Sequence, residues 1–146
     1  VDIGTWLASS DPARRTPAEV SSTDRTLRTD IDDDFLQWRY GLDSLHYRVV
    51  DDGDTAVIVR LRRRGSSTEL VIADSFGNAG AADRLAAKTG GNVGATHVLR
   101  LGPPNPRNLF APAPGLGPDL TWRALNDSGQ PPLPNWDLRM GDIELF

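Results

Sequence analysis

The chain contains no cysteine, which excludes disulfide frameworks, thiolate metal sites and cysteine nucleophiles by counting. Histidine occurs only at His46 and His97, and two isolated imidazoles without a repeated spacing do not define a metal site. Lysine is nearly absent: fifteen of the sixteen basic residues are Arg, and Lys88 is the exception. The arginines are spread from Arg14 to Arg139, and the net charge of −4 gives no general attraction to a phosphate backbone, so nucleic acid is not an expected partner. No apolar run approaches the ~20 residues that a membrane-spanning helix needs, so no membrane partner is expected. Residues 1–10 lack the basic and apolar stretches of a secretory signal, which points to the cytoplasm.

What is present suits one soluble domain, since 146 residues with 38% hydrophobic content can build a single core. Residues 1–30 are rich in Ser, Thr, Asp and Arg with few large apolar side chains, and read as a linker or N-terminal arm ahead of a domain spanning 31–146. Asp30, Asp32, Asp33 and Asp34 precede Phe35, Leu36, Trp38 and Tyr40, placing acids where a helix start carries partial positive charge; a short helix over 32–40 follows, stopped by Gly41.

Aromatic and β-branched runs at 45–50 and 55–64, separated by Asp51-Asp52-Gly53-Asp54, predict a hairpin. A turn at 65–67 leads to a third strand, Glu69 to Asp74, with so few polar positions that it belongs in the middle of the sheet. After Gly77-Asn78-Ala79-Gly80, good helix formers run from Ala81 to Lys88 up to an expected stop at Gly90-Gly91. Further strands are expected at Thr96–Leu101, Leu120–Leu125 and Asp142–Phe146, around two proline-rich loops. The fold class is therefore α+β, a mixed and mainly antiparallel sheet with flanking helices.

Several stretches carry a more specific signal: Phe35-Leu36-Gln37-Trp38-Arg39-Tyr40-Gly41, Val59 to Gly65, Gly115 to Pro118 with Leu120 to Arg123, and Asn135 to Leu138 with Gly141 to Phe146. Together with the element order, they resemble the C-terminal half of two-part GNAT-family N-acetyltransferases from GC-rich, actinobacterial-type bacteria. The resemblance implies a GNAT-like acyl-CoA N-acyltransferase fold lacking its first strand and helix. It also implies an N-terminal GNAT domain as partner; a homo-oligomer is a further possibility.

In that family, coenzyme A pyrophosphate is bound by backbone amides of a Gln/Arg-x-x-Gly-x-Gly/Ala loop at a helix start, where unpaired N–H groups favour an anion. Gly77, Asn78, Ala79, Gly80, Ala81 and Ala82 stand in that place. Gly80 and Ala82 match the small positions, while Gly77 replaces the Gln or Arg and Asp83 follows closely. The other reading of these residues is a simple strand-to-helix turn.

Asp74, at the end of the third strand, is the candidate for the base that amine acetylation requires, against a reading in which it caps the following loop. Glu69 and Tyr47 are placed less favourably, and no Gly-x-Ser-x-Gly elbow or Gly-x-x-x-x-Gly-Lys loop is present. Arg60, Arg62 and Arg64 share one strand face, suited either to an anionic ligand or acidic partner or, as a solvated strand edge, to cross-strand pairing with residues such as Glu69. The expected function is a GNAT-like domain that is not a complete enzyme alone, needs no cofactor itself, and shapes a substrate site or contacts a partner. The alternatives are a divergent acyltransferase using acetyl-CoA, and a small-ligand-binding α+β domain.

Overall fold

A computed structural model of the protein describes residues 1–17, 27–101, 109–113, 129, 132 and 135–143. The elements in chain order are α1 (Ile3–Ser9), α2 (Asp33–Tyr40), β1 (Arg48–Asp51), β2 (Ala56–Arg64), β3 (Ser67–Phe76), α3 (Ala79–Asn92), β4 (His97–Leu99) and α4 (Met140–Ile143). The sheet order is β1-β2-β3-β4, with the first three strands antiparallel and β4 parallel to β3. This is a mixed α+β architecture with β3 inside the sheet, as its apolar sequence requires. Among the described residues no helix is long and apolar enough to cross a membrane.

Local chemistry accounts for the boundaries. Asp32 caps α2 by accepting from the Phe35 amide at 2.7 Å, and two acids occupy the first turn of the helix. The β1–β2 turn is held by Asp51 Oδ1 accepting from the Gly53 amide at 2.7 Å and Asp52 Oδ1 accepting from the Thr55 amide at 3.0 Å. Gly53 has φ of +101°, a conformation most side chains oppose.

Each face of the sheet packs its own apolar cluster. On one face α1 and α2 cover Val49, Ile58 and Phe76 with Ile3, Trp6, Leu36 and Tyr40. On the other, Ala82 and Ala86 of α3 cover Val57, Val59, Leu70 and Ile72.

The expected linker at residues 1–30 is corrected for its first part: Ile3 and Trp6 are both 3% exposed. Trp6 packs on Phe76 at a 5.4 Å centroid distance and donates its indole N–H to Asp51 at 2.7 Å. Arg15, also buried, fixes the segment further. Its guanidinium lies over the Trp6 ring, donates to the Leu7 and Ser10 carbonyls at 2.6 and 2.7 Å, and pairs with Asp33 of α2. One Ile and one Trp at helical spacing suffice to anchor a segment whose average composition is polar.

Other expectations shift for local reasons. The strand expected from Leu45 begins at Arg48, because Asp43–Leu45 form a 3-10 turn and His46 adopts a left-handed φ of +55°. Helix α3 does not stop at Gly90-Gly91 but continues to Asn92; Gly90 is the point where α3 touches Val98 of β4, and a side chain there would overlap it. The strand expected over Thr96–Leu101 is limited to His97–Leu99. Asp142 and Ile143 lie in α4 rather than in a strand, while residues 144–146 and the strand expected at Leu120–Leu125 lie outside the described residues.

Replacing Trp6 with Ala removes the main anchor of α1 and is expected to destabilise the protein by about 3–5 kcal/mol. Chemical denaturation checks this; an unchanged midpoint would mean that α1 is an appendage.

Candidate functional site

The site forms where β3 runs past the end of β4. Pairing with β4 spans only Glu69 to Val71, so from Ile72 to Ser75 the strand has no ladder partner on that side among the described residues. A cleft of about 40 Å³ lies beside this edge, walled by Ala82 and Asp83 of α3, by Arg100, and by residues 137–140.

A β-bulge determines which group meets the cleft. Ile58 pairs with Asp74 but Val59 pairs with Ile72, so Ala73 is an extra residue on β3. Strict alternation from Ile72, which packs under α3, would place Asp74 on the α3 face as well. The extra residue instead turns Asp74 to the face of its partner Ile58, the side covered by α2.

There Asp74 is 4% exposed, and the Tyr40 hydroxyl donates to its Oδ2. Arg139 Nη1 donates to Oδ1 at 3.2 Å and lies 3.4 Å from the Ser75 carbonyl. Burial pushes the Asp74 carboxyl up to about 6, partly opposed by the hydrogen bond from Tyr40 and the charge of Arg139. The same burial, with the Asp74 charge beside it, raises the Tyr40 phenol, which stays a proton donor.

Residues 135–143 lie across the cleft. Arg39 Nε donates to the Gly141 carbonyl at 2.8 Å, and a side chain at Gly141 would overlap the Tyr40 hydroxyl. Further along the wall Arg100 stands 3.6 Å from Asp83, whose carboxyl burial also raises.

The loop proposed for coenzyme A sits at the start of α3. Its amides are substantially engaged within the protein: Gly77 N–H donates to the Thr16 carbonyl at 3.1 Å, Ala82 N–H to the Asn78 carbonyl at 2.9 Å, and Ala81 N–H to Asn78 Oδ1 at 3.0 Å. Gly77 has φ of +84°, and a Cβ there would stand 2.6 Å from the Asp54 carbonyl oxygen. The turn geometry thus requires glycine where the family motif has Gln or Arg.

Asp74 therefore lies at the cleft, but bound on both oxygens rather than capping the next loop; that cap is Asn78. Glu69 is buried and pairs with Arg62 at 2.7 Å, as its cross-strand position suggested. Tyr47 is buried against Tyr40 at 4.9 Å, with Arg60 over its ring. His46 and His97 are exposed, and among the described residues no cluster of three acids or imidazoles could hold a metal. Trp38 is exposed, Trp136 half-buried, and Trp122 lies outside the described residues. Tyr40, Arg139 and Gly141 are site residues that no sequence motif singled out as such: their partners in space are 34 and 65 positions away.

No family model matches the chain, and no curated protein matches it. Two crystal structures of TTHA1254 from Thermus thermophilus align with it. A point mutant gives a TM-score of 0.39 at 17% identity over 67% of this chain and 83% of that one. The wild type gives 0.36 at 18% identity over 66% and 82%.

Because its folded-state pKa exceeds the ordinary carboxylate value, Asp74 takes up a proton on folding, so its contribution to stability grows as pH falls through about 6 and is complete below the unfolded value near 3.8. Between pH 7 and pH 5 this gain is about 1 kcal/mol. Asp74→Asn should abolish that component, read as the difference between the two proteins' melting temperatures across the interval; parallel pH profiles would contradict it.

Proposed function

We propose that this chain is a GNAT-like domain, the C-terminal half of a two-part N-acetyltransferase-family protein, which shapes a substrate site or contacts its partner domain and does not catalyse alone. The sequence stretches at 35–41, 59–65, 115–118 with 120–123, and 135–138 with 141–146 support the family reading, as does a meander of three antiparallel strands followed by a helix and a parallel strand.

The observation that carries the non-catalytic part is the closure of the cleft. Acetyl transfer from a thioester needs room for the acyl carrier beside a base able to take the amine proton. Here about 40 Å³ remains, Arg139 and Tyr40 hold both oxygens of Asp74, and three amides of the candidate phosphate loop already have protein acceptors. An anion taking the Ala81 amide at the start of α3 would have to displace the Asn78 cap, at a cost of about 1 kcal/mol.

One observation favours the enzyme alternative. A buried carboxyl raised to about 6 at the wall of a cleft has a proton affinity suited to general-base work near neutral pH. In that reading Asp74 would take the amine proton once Arg139 had left it.

Acetyl-CoA separates the two. At millimolar concentration it is expected to leave the melting temperature of the native chain unchanged. A saturable rise abolished by Gly80→Asp would move the cofactor site onto this chain and make it an acyltransferase in its own right.

A further inference from the structure

Residues 135–143 differ from the rest of the described structure in how they are attached. Neither apolar cluster, nor the half-buried side chains packed against them, includes a residue of this segment. Among the described residues its hydrogen-bonded anchors are polar, and its apolar side chains Leu138 and Met140 are only half-buried, beside Ile72 and Ala82 at the cleft. Leu27 N–H donates to the Asn135 carbonyl at 2.6 Å, Asp137 N–H to the Leu27 carbonyl at 2.9 Å, and Arg39 to the Gly141 carbonyl. Thr29 bonds Asp142, and Arg139 spans to Asp74.

We infer that residues 135–143 form a latch that opens as a unit while the sheet stays folded, uncovering the β3 edge from Ile72 to Ser75. The inference rests on the proposed reading that this cleft is closed to an acyl carrier, and it makes the latch the element that closes it.

Three features separate a latch from an ordinary packed strap. Exchanging polar anchors for water has a small net cost per bond, whereas pulling an apolar side chain from a core does not. The segment also holds its own shape: Arg139 N–H donates to Asp142 Oδ2 at 2.8 Å and Asp142 N–H to the Arg139 carbonyl at 3.0 Å. It can therefore lift without unravelling.

Finally, lifting does not strand a charge. The movement that takes Arg139 from Asp74 also opens the cleft to water, so the carboxylate regains solvent as it loses its cation. The seat itself is specific, since Gly141 rests where any side chain would strike the Tyr40 hydroxyl.

Native-state hydrogen exchange on the full chain tests the motion. The amides of Leu27 and Asp137 are expected to exchange about a hundredfold or more faster than those of β2 and β3, with rates insensitive to low denaturant, the signature of local opening. Gly141→Ala, which unseats the latch, should speed them about tenfold further and leave the sheet amides unchanged. Exchange at the same rate and with the same denaturant slope as the sheet overturns the latch.

Acetyl-CoA then tests the withholding role. A rise in melting temperature for Gly141→Ala but not for the native chain supports it; a rise in neither, or an equal rise in both, overturns it. The equal rise alone also overturns the proposed function, so the two failures are distinguishable.

Discussion

A carboxylate placed inside a protein must find partners or lose its charge, and Asp74 imposes that requirement on two separate parts of this chain. Its neighbours come from α2, which supplies Tyr40, and from the C-terminal segment, which supplies Arg139. Arg39, next to Tyr40 in sequence, reaches the same segment through the Gly141 carbonyl. The bulge at Ala73 is the device that makes this possible, because one extra residue turns the carboxyl from the α3 face to the α2 face. The sheet supplies the scaffold, and one polar cluster at its bulge joins the helix before it to the segment after it.

That cluster also explains how much could be read from the residues alone. The three antiparallel strands, the central place of β3 and the helix after Asp32 were legible because alternation, turn residues and caps act over a few positions. The Glu69–Arg62 pair was legible for the same reason. The bulge was not, since nothing in Val71-Ile72-Ala73-Asp74 marks Ala73 as the extra residue. Nor were Tyr40 and Arg139, ordinary members of an amphipathic helix and of a proline-flanked stretch until the fold brings them together. The buried N-terminal helix was misread because averaging over thirty residues dilutes Ile3 and Trp6, although their spacing is helical. Gly90 and Gly91 of α3 misled in the opposite direction, as Gly90 is there for a close contact with Val98 and not to end a helix.

Asp74 illustrates why a perturbed group is not by itself a catalytic one. Burial gives it the proton affinity that a base near neutrality needs, but the same burial demands the hydrogen bonds that occupy it. Removing Arg139 would free an oxygen and at once change the balance of burial and charge that set the affinity. The carboxyl's present character thus belongs to the closed cleft.

The docking of α1 has a consequence for synthesis on the ribosome. Trp6 is made well before its partners, since its indole N–H donates to Asp51 and its ring packs on Phe76. Until β3 has left the exit tunnel, Ile3 and Trp6 lack Phe76 of their cluster and remain partly open to solvent and to other nascent chains. At about 5–20 residues per second, that interval lasts several seconds. A growing chain in which Ile3 and Trp6 wait for β3 is a natural client for holding chaperones, and slow translation through the β1–β3 region would lengthen that dependence.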